Sequence, residues 1–122
     1  MSKAILEHIN MTVTDPDKTA GMLADLFGWK VRWSGDSIHN GRSVHVGNED
    51  DYVALYSVGA PRALSENENY RLAGAVNHLG ILVDDLDAVE LIAVNGRVDP
   101  NDRSVVSSVE DSDRHRHLFA RD

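Results

Sequence analysis

The chain has no cysteine, and it has no apolar run longer than a few residues. The first absence excludes disulfides, thiolate metal sites and a cysteine nucleophile, and it fits a reducing cytoplasm. The second excludes a membrane-spanning helix. The opening Met1-Ser2-Lys3-Ala4 runs straight into a strand-like segment, without the long apolar stretch of a signal peptide. Basic residues are also scarce, 12 Lys and Arg against 20 Asp and Glu, giving a formal net charge of −8. No Lys/Arg stripe forms, and the densest patch, Arg114-His115-Arg116-His117, is flanked by Asp111, Asp113 and Asp122. A nucleic-acid partner is therefore not expected. No GxxxxGK[ST] phosphate loop, GxGxxG fingerprint or GxSxG elbow occurs, which leaves Rossmann-type hydride transfer and nucleophile-elbow hydrolysis without support.

What is present fits one compact domain, or two small modules sharing a core, at 122 residues. Residues Ile5 to Val13 alternate. Glu7, Ile9, Met11 and Val13 fall on one face, and Leu6, His8, Asn10 and Thr12 on the other, which predicts a strand. Asp15 then caps a helix whose first position is Pro16. Met22, Leu23, Leu26 and Phe27 recur at helical spacing, and Gly28 closes the helix. Three short strands are expected at Trp29–Trp33, Ser43–Gly47 and Tyr52–Ser57, punctuated by Gly35-Asp36, Asn40-Gly41 and the polar Asn48-Glu49-Asp50-Asp51. The stretch Gly59–Gly74 lacks strong periodicity and reads as a linker.

The opening pattern then returns. Asn77 to Val83 alternates, with Leu79, Ile81 and Val83 on one face. Asp85 caps a short helix through Leu86, Val89, Ile92 and Ala93, which Asn95-Gly96 closes. Val105–Val109 and His115–Ala120 are the later strands. Overlaying the halves maps His8 to His78, Val13 to Val83 and Asp15 to Asp85, each offset by 70 residues. An internal repeat of this size fixes both modules at once. The expected organisation is a βαβββ module over residues 1–59, a linker over 60–75 and a second module over 76–122. Two such units would place curved sheets around a cleft, with helices outside.

The motif Leu6-Glu7-His8-Ile9-Asn10-Met11-Thr12-Val13 with Asp15, and its second copy Val76-Asn77-His78-Leu79-Gly80-Ile81-Leu82-Val83 with Asp85, resemble the vicinal oxygen chelate superfamily of glyoxalases, bleomycin-resistance proteins and extradiol dioxygenases. The resemblance covers nearly the whole chain. It implies an α+β fold of two βαβββ modules forming a curved mixed sheet around a cleft. It also implies metal ligands at His8 and His78 on the first strand of each module, with glutamates on the last strands. In the first module the glutamate position falls on Ala54, which cannot bind a metal. In the second, Asp122 falls where the family's penultimate strand ends, so that module is expected to lack its last strand here.

Several residues carry the functional expectation. Tyr52, Ala54 and Tyr56 alternate with the core-facing pair Val53 and Leu55, so the two tyrosines face the cleft as candidate substrate-binding residues. His45, between Val44 and Val46, points the same way. His39 is expected in solvent beside a turn, Trp29 and Trp33 in packing, and His115 and His117 on one face of a strand. Two readings stay open. In the first, a divalent ion (Zn, Ni, Mn or Fe) held by His8 and His78 chelates vicinal oxygens of a small substrate for lyase, isomerase or dioxygenase chemistry. In the second, a metal-free cleft sequesters an aromatic or amphipathic small molecule. A third possibility is a relative without activity. A homodimer is expected in either case, because a half-finished second module exposes a sheet edge that a partner chain can cover.

Overall fold

A computed structural model describes residues 3–59, 61–62, 65–85, 87–89, 105–110 and 116–121. The chain divides into two compact units, Met1–Arg62 and Ala63–Asp122.

The first unit is a complete βαβββ module. Strand β1 (His8–Thr12) leads through helix α1 (Pro16–Phe27) to β2 (Lys30–Asp36), β3 (Arg42–Gly47) and β4 (Tyr52–Ser57). The spatial order is β1-β4-β3-β2. The two hairpins are antiparallel, whereas β1 lies parallel to β4, in register from His8 against Tyr52 to Thr12 against Tyr56. A parallel neighbour requires a crossover, and α1 begins it.

The ends of α1 are set by local chemistry. Asp15 is extended, and its carboxylate accepts from the Lys18 amide at 3.1 Å. Pro16 occupies the first turn, where no amide donor is needed. Gly28 turns left-handed at φ 69° and donates to the Ala24 carbonyl at 2.9 Å. The buried stripe Ala20, Leu23 and Leu26 packs against one face of the sheet, where Met11, Val13, Val44, Val46, Val53 and Leu55 supply the facing surface. A bidentate pair from Arg42 Nε and Nη2 to Asp17, 2.8 and 2.9 Å, ties the helix's first turn to β3.

Expectation and structure part in three places here. Ile9 shares its alternation with Met11 and Val13, yet it stays 38% exposed at the sheet's edge strand. Strand β2 runs on through Gly35 to Asp36, because its pairing with β3 continues to Asp36 against Arg42. The turn therefore falls at Ser37–Gly41, where His39 and Asn40 are both left-handed at φ 58°. As expected, His39 is exposed. The third departure is a bulge in β2. Val31 faces Val46 and Trp33 faces His45, so Arg32 is an extra residue with no opposite number.

In the second unit, helix α2 (Glu66–Arg71) lies inside the stretch without periodicity. A capping box specifies it: Ser65 Oγ accepts from the Glu68 amide at 3.1 Å, and Glu68 accepts from the Ser65 amide at 3.0 Å. Strand β5 (Leu79–Leu82) follows. Asp85 then caps a helical turn, accepting from the Ala88 amide at 3.0 Å, and Val89 is buried. The expected continuation through Ile92 to Gly96 lies outside the described residues. Strands β6 (Val105–Glu110) and β7 (Arg116–Arg121) form an antiparallel pair, and β5 joins the β7 edge, also antiparallel. In the first unit, β1 and β3 run in opposite senses on either side of β4. The β5–β7 pairing has that same opposite sense.

Candidate functional site

The face of the first sheet away from α1 carries alternate residues of all four strands. On β4 the alternation buries Val53 and Leu55 against the helix and puts Tyr52 and Tyr56 on the other side. On β3 it does the same for His45, between buried Val44 and Val46. The paired registers then assemble a row that follows the strand order. His8 on β1 stacks on Tyr52 at 4.9 Å between ring centroids, with planes 13° apart. Tyr52 stacks on His45 at 4.7 Å and 24°. Trp33 on β2 meets His45 at 5.1 Å, tilted by 54°. The guanidinium of Arg32 lies over the Tyr52 ring, 4.4 Å from its centroid. The bulge lets the consecutive residues Arg32 and Trp33 both reach this face.

Polar groups hold the row at the β1 end. His8 Nδ1 is 2.9 Å from Glu7 Oε1, and the Tyr52 hydroxyl donates to the same oxygen at 3.3 Å. An ionised carboxylate only accepts, so Nδ1 of His8 carries the proton. The His8 hydrogen bond, reinforced by Tyr52 and by the nearby charge of Arg32, holds the Glu7 carboxyl below its usual range against a smaller effect of burial. His45 is displaced downward, first by burial and then by the positive neighbours His8 and Arg32. The imidazole in the middle of the row is thus biased toward its neutral form.

The structure thus brings together three of the residues singled out from sequence: His8, His45 and Tyr52. Tyr56 has a different attachment. Its hydroxyl donates to the Ile38 carbonyl at 2.7 Å, and its ring lies against Gly41, where a Cβ would collide with it. It braces the Ser37–Gly41 turn. His78 precedes β5 in the second unit, exposed, with Nδ1 at 2.8 Å from Asn77 Oδ1. The repeat thus extends beyond sequence: in both copies the histidine's Nδ1 meets the side-chain oxygen of the residue before it. His115 lies outside the described residues, and His117 sits in β7 opposite Leu82.

Two site residues escaped the sequence. Alternation puts Glu7 on the face of Ile9 and Met11, but it precedes the first paired residue of β1, and its carboxylate reaches round to His8 and Tyr52. Arg32 was hidden by the bulge, which breaks the alternation from which faces are read. Trp33 is corrected too. It is 47% exposed against His45, whereas Trp29 does pack, tilted on Phe27 at 5.2 Å.

A divalent metal is the cofactor that such a fold implies, and the donors can be tested against it. Ala54, buried beside His45, supplies no donor where the first module's carboxylate is expected. Among the described residues, no three His, Asp or Glu side chains gather to hold an ion. A stable site takes at least three protein ligands. The described residues therefore do not fit a resident metal.

The fold is similar to that of TioX from Micromonospora sp. ML1, at a TM-score of 0.57 and 17% identity over 98% of this chain and 90% of that one. It is also similar to an integron cassette protein from the mobile metagenome of V. cholerae, at 0.54 and 16% over 100% of this chain and 89% of that one. No curated protein matches the sequence. Among the described residues no helix is long and apolar enough to cross a membrane. The family model for the glyoxalase/bleomycin resistance protein/dioxygenase superfamily matches residues 5–93, and the chain belongs to that superfamily.

Proposed function

We propose that this chain binds a planar aromatic small molecule on the open face of its first sheet, without a resident metal. One observation carries the reading: the row Trp33–His45–Tyr52–His8, with its outermost ring nearly half in water. A large exposed ring beside further rings gains most from a flat partner. Each aromatic contact is worth about 0.5–1.5 kcal/mol beyond the area it buries. Tyr52 and His45 form the floor in this reading, Trp33 is the wall that meets the ligand, and Tyr56 keeps the turn at the far end in place.

Titration with 2-naphthamide, a neutral flat probe, tests this directly. Saturable binding that survives excess chelator and is lost in Trp33→Ala supports the proposal. Binding indifferent to Trp33 overturns it.

The metal-dependent reading has one support, the matched orientation of His8 by Glu7 and His78 by Asn77, since ligating histidines are commonly oriented through their second ring nitrogen. It requires about one equivalent of Zn, Ni, Mn or Fe in purified protein, lost in a His8→Ala His78→Ala double variant.

Dimerisation is part of the proposal. Ile5 and Leu6, just before β1, are 80% and 82% exposed, and apolar side chains beside the outer strand of the first sheet suit a second copy of the chain.

A further inference from the structure

We infer that Arg32 makes this aromatic site selective for planar ligands that carry an anionic group, an aromatic carboxylate above all; the inference rests on the binding reading given above. The β2 bulge is the first support. An unbroken strand would alternate Arg32 and Trp33 to opposite faces, whereas the extra residue puts a cation and the exposed indole side by side.

The posture of the guanidinium is the second support. Its Cζ lies 4.4 Å from the Tyr52 ring centroid, so the aromatic floor holds the group beside the indole. Its N–H donors lie in the guanidinium plane and form a fork suited to two oxygens of one carboxylate. The third support is the company it keeps. Among the described residues no carboxylate forms an ion pair with Arg32: Glu7 is turned to His8 and Tyr52, and Asp17 is taken by Arg42. A ligand whose ring covers Trp33 and whose carboxylate meets Arg32 would satisfy both groups at once. Lysine would supply the charge without the planar fork, so the bulge position carries information beyond its sign.

The size of the preference follows from the setting. A charge-assisted, two-point contact is stronger than a neutral hydrogen bond, but Arg32 is solvent-exposed and Glu7 adds negative charge nearby. Together these reduce the expected preference to about tenfold in affinity.

The experiment compares 2-naphthoate with 2-naphthamide, equal in shape and differing in charge, by calorimetric titration of the intact chain. Wild type should bind the naphthoate about tenfold more tightly. Arg32→Gln should bring the two affinities together, whatever it does to each of them, and Arg32→Lys should keep only part of the ratio. Higher salt should narrow the gap. Equal affinities in wild type, or a ratio that persists in Arg32→Gln, overturn the anion preference while leaving the aromatic site standing. Failure of both probes to saturate at millimolar concentration overturns the two readings together.

Discussion

Replacing Tyr52 with leucine keeps an apolar side chain on β4 but removes the ring that joins one side of the row to the other. Three ring contacts disappear: His8 at 4.9 Å, His45 at 4.7 Å and the Arg32 guanidinium at 4.4 Å. At the low end appropriate to a partly exposed site, the two stacks are worth about 0.5 kcal/mol each and the cation–ring contact about the same. The expected destabilisation is therefore about 1.5 kcal/mol, or roughly 5–8 °C in melting temperature for a chain of this size. Tyr52→Phe keeps the ring and loses only the long 3.3 Å bond to Glu7, so its effect should stay under about 0.5 kcal/mol. Urea unfolding of both variants measures the difference. A double-mutant cycle with His45→Leu should return a coupling of about 0.5 kcal/mol or more, because the two rings touch. A leucine variant as stable as wild type, or a coupling indistinguishable from zero, would show that the rings are neighbours without being an energetic unit, and the binding argument would lose its floor.

Three further outcomes are expected. His45 holds its proton less tightly folded than unfolded, so the unfolded chain binds the extra proton first. Stability should accordingly fall as pH drops from about 7 through 6.5 toward the lower folded value; Glu7, depressed from 4.5, should add a later loss as pH falls through that region, and His45→Gln should flatten only the first limb in urea titrations. Gly41→Ala forces a Cβ against the Tyr56 ring and should break its bond to Ile38; a loss of about 1–3 kcal/mol is expected, and an unchanged midpoint would argue that the ring simply shifts aside. Leu6→Glu should move the protein from dimer to monomer in light scattering at micromolar concentration, whereas a monomeric wild type would dismiss the dimer.

Helix α1 was legible because its signals are local. Asp15, Pro16 and Gly28 each act on backbone atoms a few residues away, and the structure keeps all three. The same kind of signal lies in Ser65-Glu66-Asn67-Glu68, yet α2 has no apolar stripe to announce it, and this short helix is specified by its cap. The extent of β2 was not legible. Whether Gly35 ends a strand or continues it depends on a partner, Ser43, that the local pattern does not reveal. The site shows the same division. His8, Tyr52 and His45 follow from alternation, which survives wherever pairing is regular. Arg32 and Glu7 sit where regularity fails, one at a bulge and one just before the first strand, and no count of residues predicts where a bulge will fall.

The parallel pairing of β1 with β4 has a kinetic consequence. Its partners, His8 and Tyr52, are separated by 44 positions, so the most nearly parallel stack of the row forms only when nearly the entire first unit has been threaded into place. Such long-range closures come late in folding and open early in fluctuation, particularly on an outer strand. Amides of β1 should then exchange with solvent sooner than those of β3, and any molecule resting across both strands would act as a clasp, slowing that exchange in proportion to its occupancy.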